Sequence, residues 1–121
     1  FNYLCLMKRE IVYFGNYFND FFATLTIQEK QKVLYVLEML ITQNRISSKF
    51  ITHIREGVFQ LRIEYGSNIY RIFFVFDLGN IVVLFNGFQK KTQKTPKNEI
   101  DRALKIKKEY DEYKQQVAQR K

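Results

Sequence analysis

The chain has 121 residues, enough for one domain with a modest core and too few for two. Lys and Arg number 20 against 12 Asp and Glu, a formal charge of +8, while 46% of residues are hydrophobic, which excludes a disordered basic tail. With one Pro and five Gly it is neither collagen-like nor a flexible linker, and its 12 Phe and 8 Tyr point to a ring-rich core with some rings left for a partner.

Cys5 is the single cysteine, so no intrachain disulfide and no Cys-based zinc site can form. That usage fits a reducing compartment, and the cytoplasm is the expected location. No apolar run approaches the roughly 18 to 20 residues of a membrane span. The longest, residues 69–76, is interrupted by Arg71. Met7, followed by Lys8-Arg9-Glu10, reads as a native start, so residues 1–6 are expected to be added or upstream residues and 7–121 a single domain.

In chain order, Ile11-Val12-Tyr13-Phe14 is short and rich in β-formers, which predicts a strand. After Gly15, Phe18, Phe21, Phe22 and Leu25 recur at helical spacing. Thr26-Ile27-Gln28-Glu29 then fits a capping box, so a second helix is expected to begin there and complete a helical hairpin. Its apolar face is read as Val33, Leu34, Leu37, Leu40 and Ile41. From Val58 the period changes to 2, with Phe59, Leu61, Ile63 and Tyr65 alternating against Val58, Gln60, Arg62 and Glu64. Turn chemistry at Gly66-Ser67-Asn68 and again at Asp77-Leu78-Gly79-Asn80 separates three strands of an antiparallel meander. The middle one, Ile69 to Phe76, is apolar on both faces and belongs inside the sheet. Thr95 suits an N-cap and Pro96 a first helical position, so a last helix is predicted from there, with Ile100, Ala103, Leu104, Tyr110, Tyr113 and Val117 as its stripe. These elements make an α+β fold.

The charge is unevenly spread. From Lys90 onward there are 11 Lys or Arg against 5 Asp or Glu, and Lys90, Lys91, Lys94 and Lys97 fall between the last strand and the last helix. Such a patch attracts a polyanion through counterion release; a solvated helical face is the alternative. Arg62 and Arg71 lie in strands, and a guanidinium is costly to bury without a partner. Two readings are open: a structural ion pair with Glu64, Glu56 or Asp77, or a pair of forks aimed at a phosphate from one face of the sheet.

Three blocks together, residues 57–63, residues 68–73 and Phe85-Asn86-Gly87-Phe88-Gln89-Lys90-Lys91-Thr92-Gln93-Lys94-Thr95-Pro96 with Glu99-Ile100 and Ala103, resemble the RelE/ParE toxin superfamily, and within it the HigB-like, phage-derived branch. The resemblance spans about Met7 to Tyr110 and implies a RelE-like fold. It further implies the toxin of a type II toxin–antitoxin pair, a ribosome-dependent endoribonuclease that cuts mRNA without a metal or other cofactor. A small helix-turn-helix antitoxin would neutralise it in a hetero-oligomer, with no membrane involved. By position, Arg71 resembles the family's phosphate-binding arginine, and Arg62 sits where relatives are often basic. Lys90, Lys91 and Lys94 match the basic segment that carries RNA-contacting or catalytic groups, with Lys97 close behind. The acidic-aromatic-histidine cluster of many HigB enzymes has no counterpart after Tyr113. The general base is therefore unassigned. His53 is a candidate because a histidine side chain suits proton transfer near neutral pH, set against a surface or structural role; Tyr65 and Tyr70 are candidates for stacking on a base or for the acid role, set against packing. Two other functions share the fold: a ParE-like gyrase inhibitor, and an inactive relative that only binds its antitoxin or nucleic acid.

Overall fold

The computed structural model describes residues 9–43, 45–90 and 95–119. Eight elements follow one another: β1 (Glu10–Tyr13), α1 (Tyr17–Ala23), α2 (Ile27–Thr42), β2 (Ile51–Arg55), β3 (Val58–Tyr65), β4 (Asn68–Asp77), β5 (Ile81–Lys90) and α3 (Lys97–Gln119). The strands form one five-stranded sheet in the order β1-β5-β4-β3-β2. The expected antiparallel meander is β3-β4-β5, and β1 joins β5 in parallel, so the sheet is mixed.

The capping box forms as expected: the Glu29 amide donates to the Thr26 hydroxyl at 3.2 Å, and the Thr26 amide donates to the Glu29 carboxylate at 2.8 Å. It satisfies two amides that a helix start otherwise leaves free, and so fixes where α2 begins. The buried stripe of α2 is Val33, Val36, Leu37 and Leu40. Leu34, assigned to that face from spacing, is 52% exposed, because the stripe turns toward Val36 to meet the sheet.

β2 is an element that the alternation of the meander does not announce. It pairs antiparallel with β3, Arg55 opposite Val58, through a two-residue turn in which Glu56 (φ 54°) and Gly57 (φ 82°) both lie in the left-handed region. Hairpins favour such turns because their twist matches that of the strands. Glycine takes this conformation freely; a glutamate there is uncommon and gives no turn signal.

Cross-strand pairs define the two faces of the sheet. Leu61, Ile63, Tyr70, Ile72, Phe74, Val82 and Leu84 pack against Phe18, Phe21, Leu25 and the stripe of α2. On the opposite face Val58, Phe73, Val75, Val83 and Phe85 pack against Ala103, Ile106 and Tyr110 of α3. β4 is buried on both sides, as its sequence implies.

One irregularity positions the site. Phe74 pairs with Leu84 and Ile72 with Gly87, so Phe85 and Asn86 together oppose Phe73. This is a β-bulge, and past it the side chains of β5 change faces. Gly87 comes to lie against Phe21, where an added Cβ would sit 2.6 Å from that ring, so this position has room for hydrogen only. Phe88 stacks on Phe73 with ring centroids 5.6 Å apart.

Among the rings, Phe21 and Tyr110 are buried, Phe22 is partly buried and Tyr113 is 54% exposed. No helix among the described residues is long and apolar enough to cross a membrane.

Candidate phosphate-binding site

The face that α3 covers can be followed as rows of paired residues running across β3, β4 and β5. The first row is Val58, Val75 and Val83, and the second has Gln60 and Phe73 beside the bulge. The third is Arg62, Arg71 and Phe88; the fourth is Glu64, Ile69 and Lys90. Helix α3 packs on the first two rows through Ala103, Ile106 and Tyr110. The charged side chains occupy the third and fourth.

The start of α3 is tied beside this patch. The Thr95 hydroxyl hydrogen-bonds the Gln60 carboxamide oxygen at 2.9 Å, on the same face as Arg62 two residues on. The expected N-cap use of Thr95 is thereby replaced: the Pro96 carbonyl accepts the Ile100 amide at 3.3 Å and α3 begins at Lys97. Lys97 is exposed at this helix end.

Arg71 is 8% exposed, and its Nε is buried with no hydrogen-bond partner among the described residues. Burial holds its pKa below the ordinary arginine value, Arg62 pushes in the same direction and Glu64 partly restores it. Arg62 is more open and forms an ion pair with Glu64 through one guanidinium nitrogen. Of the two readings of the arginine pair, the ion pair with Glu64 therefore holds for Arg62. Asp77 instead accepts from the Tyr110 hydroxyl at 2.5 Å and binds Lys114, while Glu56 approaches Arg55 at 4.0 Å. Lys90 belongs to the same group. Its pKa is lowered by burial first, then by the charges of Arg71 and Arg62. The result is a cluster in which two cations are held below their ordinary pKa values and one buried donor has no partner among the described residues.

The other candidates lie elsewhere. His53 pairs across the ladder with Phe59 and meets its ring edge-on at 5.0 Å, which puts it on the face of α1 and α2. Tyr70 is buried on that same face, and its hydroxyl donates to the Glu29 carboxylate. Tyr65, 41% exposed, continues the alternation of Leu61 and Ile63 and shares that side. The sheet thus separates His53, Tyr65 and Tyr70 from the arginines. Lys91 and Lys94 lie outside the described residues. Glu64 is the group that sequence reasoning undervalued, naming it only as an ion-pair partner; its spacing of two from Arg62 in a strand already placed both on one face.

Two arginines and a lysine gathered on the half-face beyond the buried contacts of α3 are donors of the kind that can grip a phosphate-type anion. The profile of the family described as "Phage derived protein Gp49-like (DUF891)" matches residues 20–108. The chain belongs to this family, one of RelE-type toxins associated with toxin–antitoxin pairs, which implies an antitoxin partner. No curated protein matches the chain.

Proposed function

We propose that the protein is the toxin of a type II toxin–antitoxin pair, of the HigB-like branch, acting as a metal-independent endoribonuclease on ribosome-bound mRNA. The observation that carries this reading is the buried, unpartnered Arg71 Nε beside Arg62 and Lys90 on the half-face that α3 leaves open. A buried guanidinium nitrogen left without a hydrogen bond is costly, and a phosphate oxygen would compensate it.

In this reaction the 2′-oxygen of a ribose attacks the adjacent phosphorus, a P–O bond forms, and the bond to the 5′-oxygen of the next nucleotide breaks. The products are a 2′,3′-cyclic phosphate and a 5′-hydroxyl. Arg71 and Arg62 hold the non-bridging oxygens as negative charge builds on them, from donors fixed before substrate arrives. Lys90, whose lowered pKa makes it a readier proton donor than an ordinary lysine, protonates the departing oxygen. Lys97 adds positive charge at the start of α3, and Lys91 and Lys94, close by in sequence, are proposed as further RNA contacts, so binding is salt-dependent. A helix-turn-helix antitoxin would cover exposed apolar surface such as Tyr113 and Leu78, which are 54% and 84% exposed.

Expression in bacteria, with mapping of 5′ ends in ribosome-bound mRNA, tests the reading. New ends at the wild-type protein and their loss with Arg71→Ala support it. Growth arrest with intact transcripts overturns it, and inhibited supercoiling in the same cells would mark a gyrase inhibitor instead.

A further inference from the structure

The endoribonuclease reading leaves the proton acceptor unnamed, and the fourth row supplies one. Glu64, Ile69 and Lys90 pair in sequence across β3, β4 and β5, with the two charged residues at its ends and Arg71 in the row beside Ile69. Neighbouring strands lie about 4.8 Å apart, so Glu64 and Lys90 stand roughly 10 Å apart at the backbone. A phosphate seated on Arg71 lies between them.

Transesterification at phosphorus is an in-line displacement: attacking and leaving oxygens sit on opposite sides of the phosphorus. It therefore needs its proton acceptor and its proton donor on opposite sides too. The fourth row has that order, a carboxylate at one end and a lysine of lowered pKa at the other. His53 cannot play this part from the far face of the sheet.

We propose that Glu64 is the general base of the reaction, an inference that rests on the endoribonuclease reading. In the free protein its carboxylate is held by Arg62, with its side chain 49% exposed. A phosphate with two free oxygens takes the Arg62 fork in two places, where Glu64 engages a single nitrogen, and so displaces it. The freed carboxylate then accepts the 2′-hydroxyl proton as the oxygen–phosphorus bond forms, while Lys90 gives its proton to the 5′-oxygen as that bond breaks. Arg62 acts twice, first parking the base and then gripping the phosphate.

The charges near Glu64 are Arg62 on its own strand, Arg71 from β4, and Lys32 and Lys49, which line with it and Arg62 a small cavity at the rim of the sheet, while Lys90 stands at the far end of its row on β5. The decisive comparison measures single-turnover cleavage of ribosome-bound mRNA against pH for wild type, Glu64→Gln and Glu64→Asp, with RNA affinity at fixed salt and thermal melting alongside. Glu64→Gln is expected to bind RNA as tightly as wild type or more so, to cleave roughly 100-fold more slowly or worse, and to lose the acidic limb of the rate profile. Glu64→Asp keeps that limb at a reduced rate. A folded Glu64→Gln variant that cleaves at the wild-type rate with its acidic limb intact overturns the base assignment alone. Wild-type protein that leaves the mRNA whole overturns the endoribonuclease reading, and the base assignment with it.

Discussion

The two halves of the sheet face that meets α3 are built from the same three strands and differ in everything else. Where Ala103, Ile106 and Tyr110 cover it, the face is Val58, Val75, Val83, Phe73 and Phe85, all buried and apolar. Two residues further along β4 the same pleat presents Arg71, and the neighbouring strands present Arg62, Glu64 and Lys90. A helix that continued over this half would bury three cations and one carboxylate, which costs more than the apolar area would return. The lesson is that apolar packing and charge are segregated along single strands. The helix starts where the first job ends.

Four substitutions test that division, the largest expected effect first. Phe85→Ala, in the covered half, is expected to lower unfolding free energy by about 3–5 kcal/mol in urea titrations, since its ring is fully buried between the sheet, Phe14 and Tyr110. Arg71→Met, in the charged half, is expected to behave in the opposite way: mRNA cleavage falls roughly 100-fold or more, while the urea midpoint stays or rises because a buried and only partly compensated charge has gone. A midpoint that drops as far as for Phe85→Ala would show that the two halves are not segregated. Gly87→Ala, at the hinge between the halves, forces the Phe21 ring to move and is expected to cost about 1–3 kcal/mol, read from the same titration.

The smallest effect belongs to the opposite face. Burial first, and then its hydrogen bond to Glu29, push the Tyr70 pKa up to about 12 from an ordinary 10. The native state holds this proton more tightly than the unfolded chain, so the contribution to stability is complete below pH 10 and disappears as pH rises through 12. Thermal melting between those values is expected to fall more gently in Tyr70→Phe than in wild type. Tyr17 and Tyr110, also raised, keep part of the slope.

Much of the fold was legible because its signals are local. The capping box at Thr26, the helical spacing of Phe18 and Phe21, and the alternation of β3 depend on residues a few positions apart. The turn at Glu56-Gly57 was not, for a glutamate with positive φ looks like any surface residue, and β2 was missed with it. The candidate site was half legible. Arg62 and Arg71 declare themselves as charges inside strands, and Glu64 shares their face by simple alternation. Lys90 does not: counted in twos from Val82 and Leu84, it falls on the face of α1 and α2. The bulge at Phe85 and Asn86 reverses that count, and a bulge is set by the pairing of two strands rather than by either one alone.

That reversal makes the position of Lys90 a matter of number rather than of chemistry. No single substitution between Leu84 and Lys90 carries the lysine through the sheet, because every side chain there is assigned its side by how many residues precede it. Removing one residue between Gly87 and Lys90, with the Phe85-Asn86 bulge kept, would do so, sending Lys90 to the far face and leaving Arg71 without its neighbour. The segment should therefore tolerate changes of residue type in descent far better than changes of length.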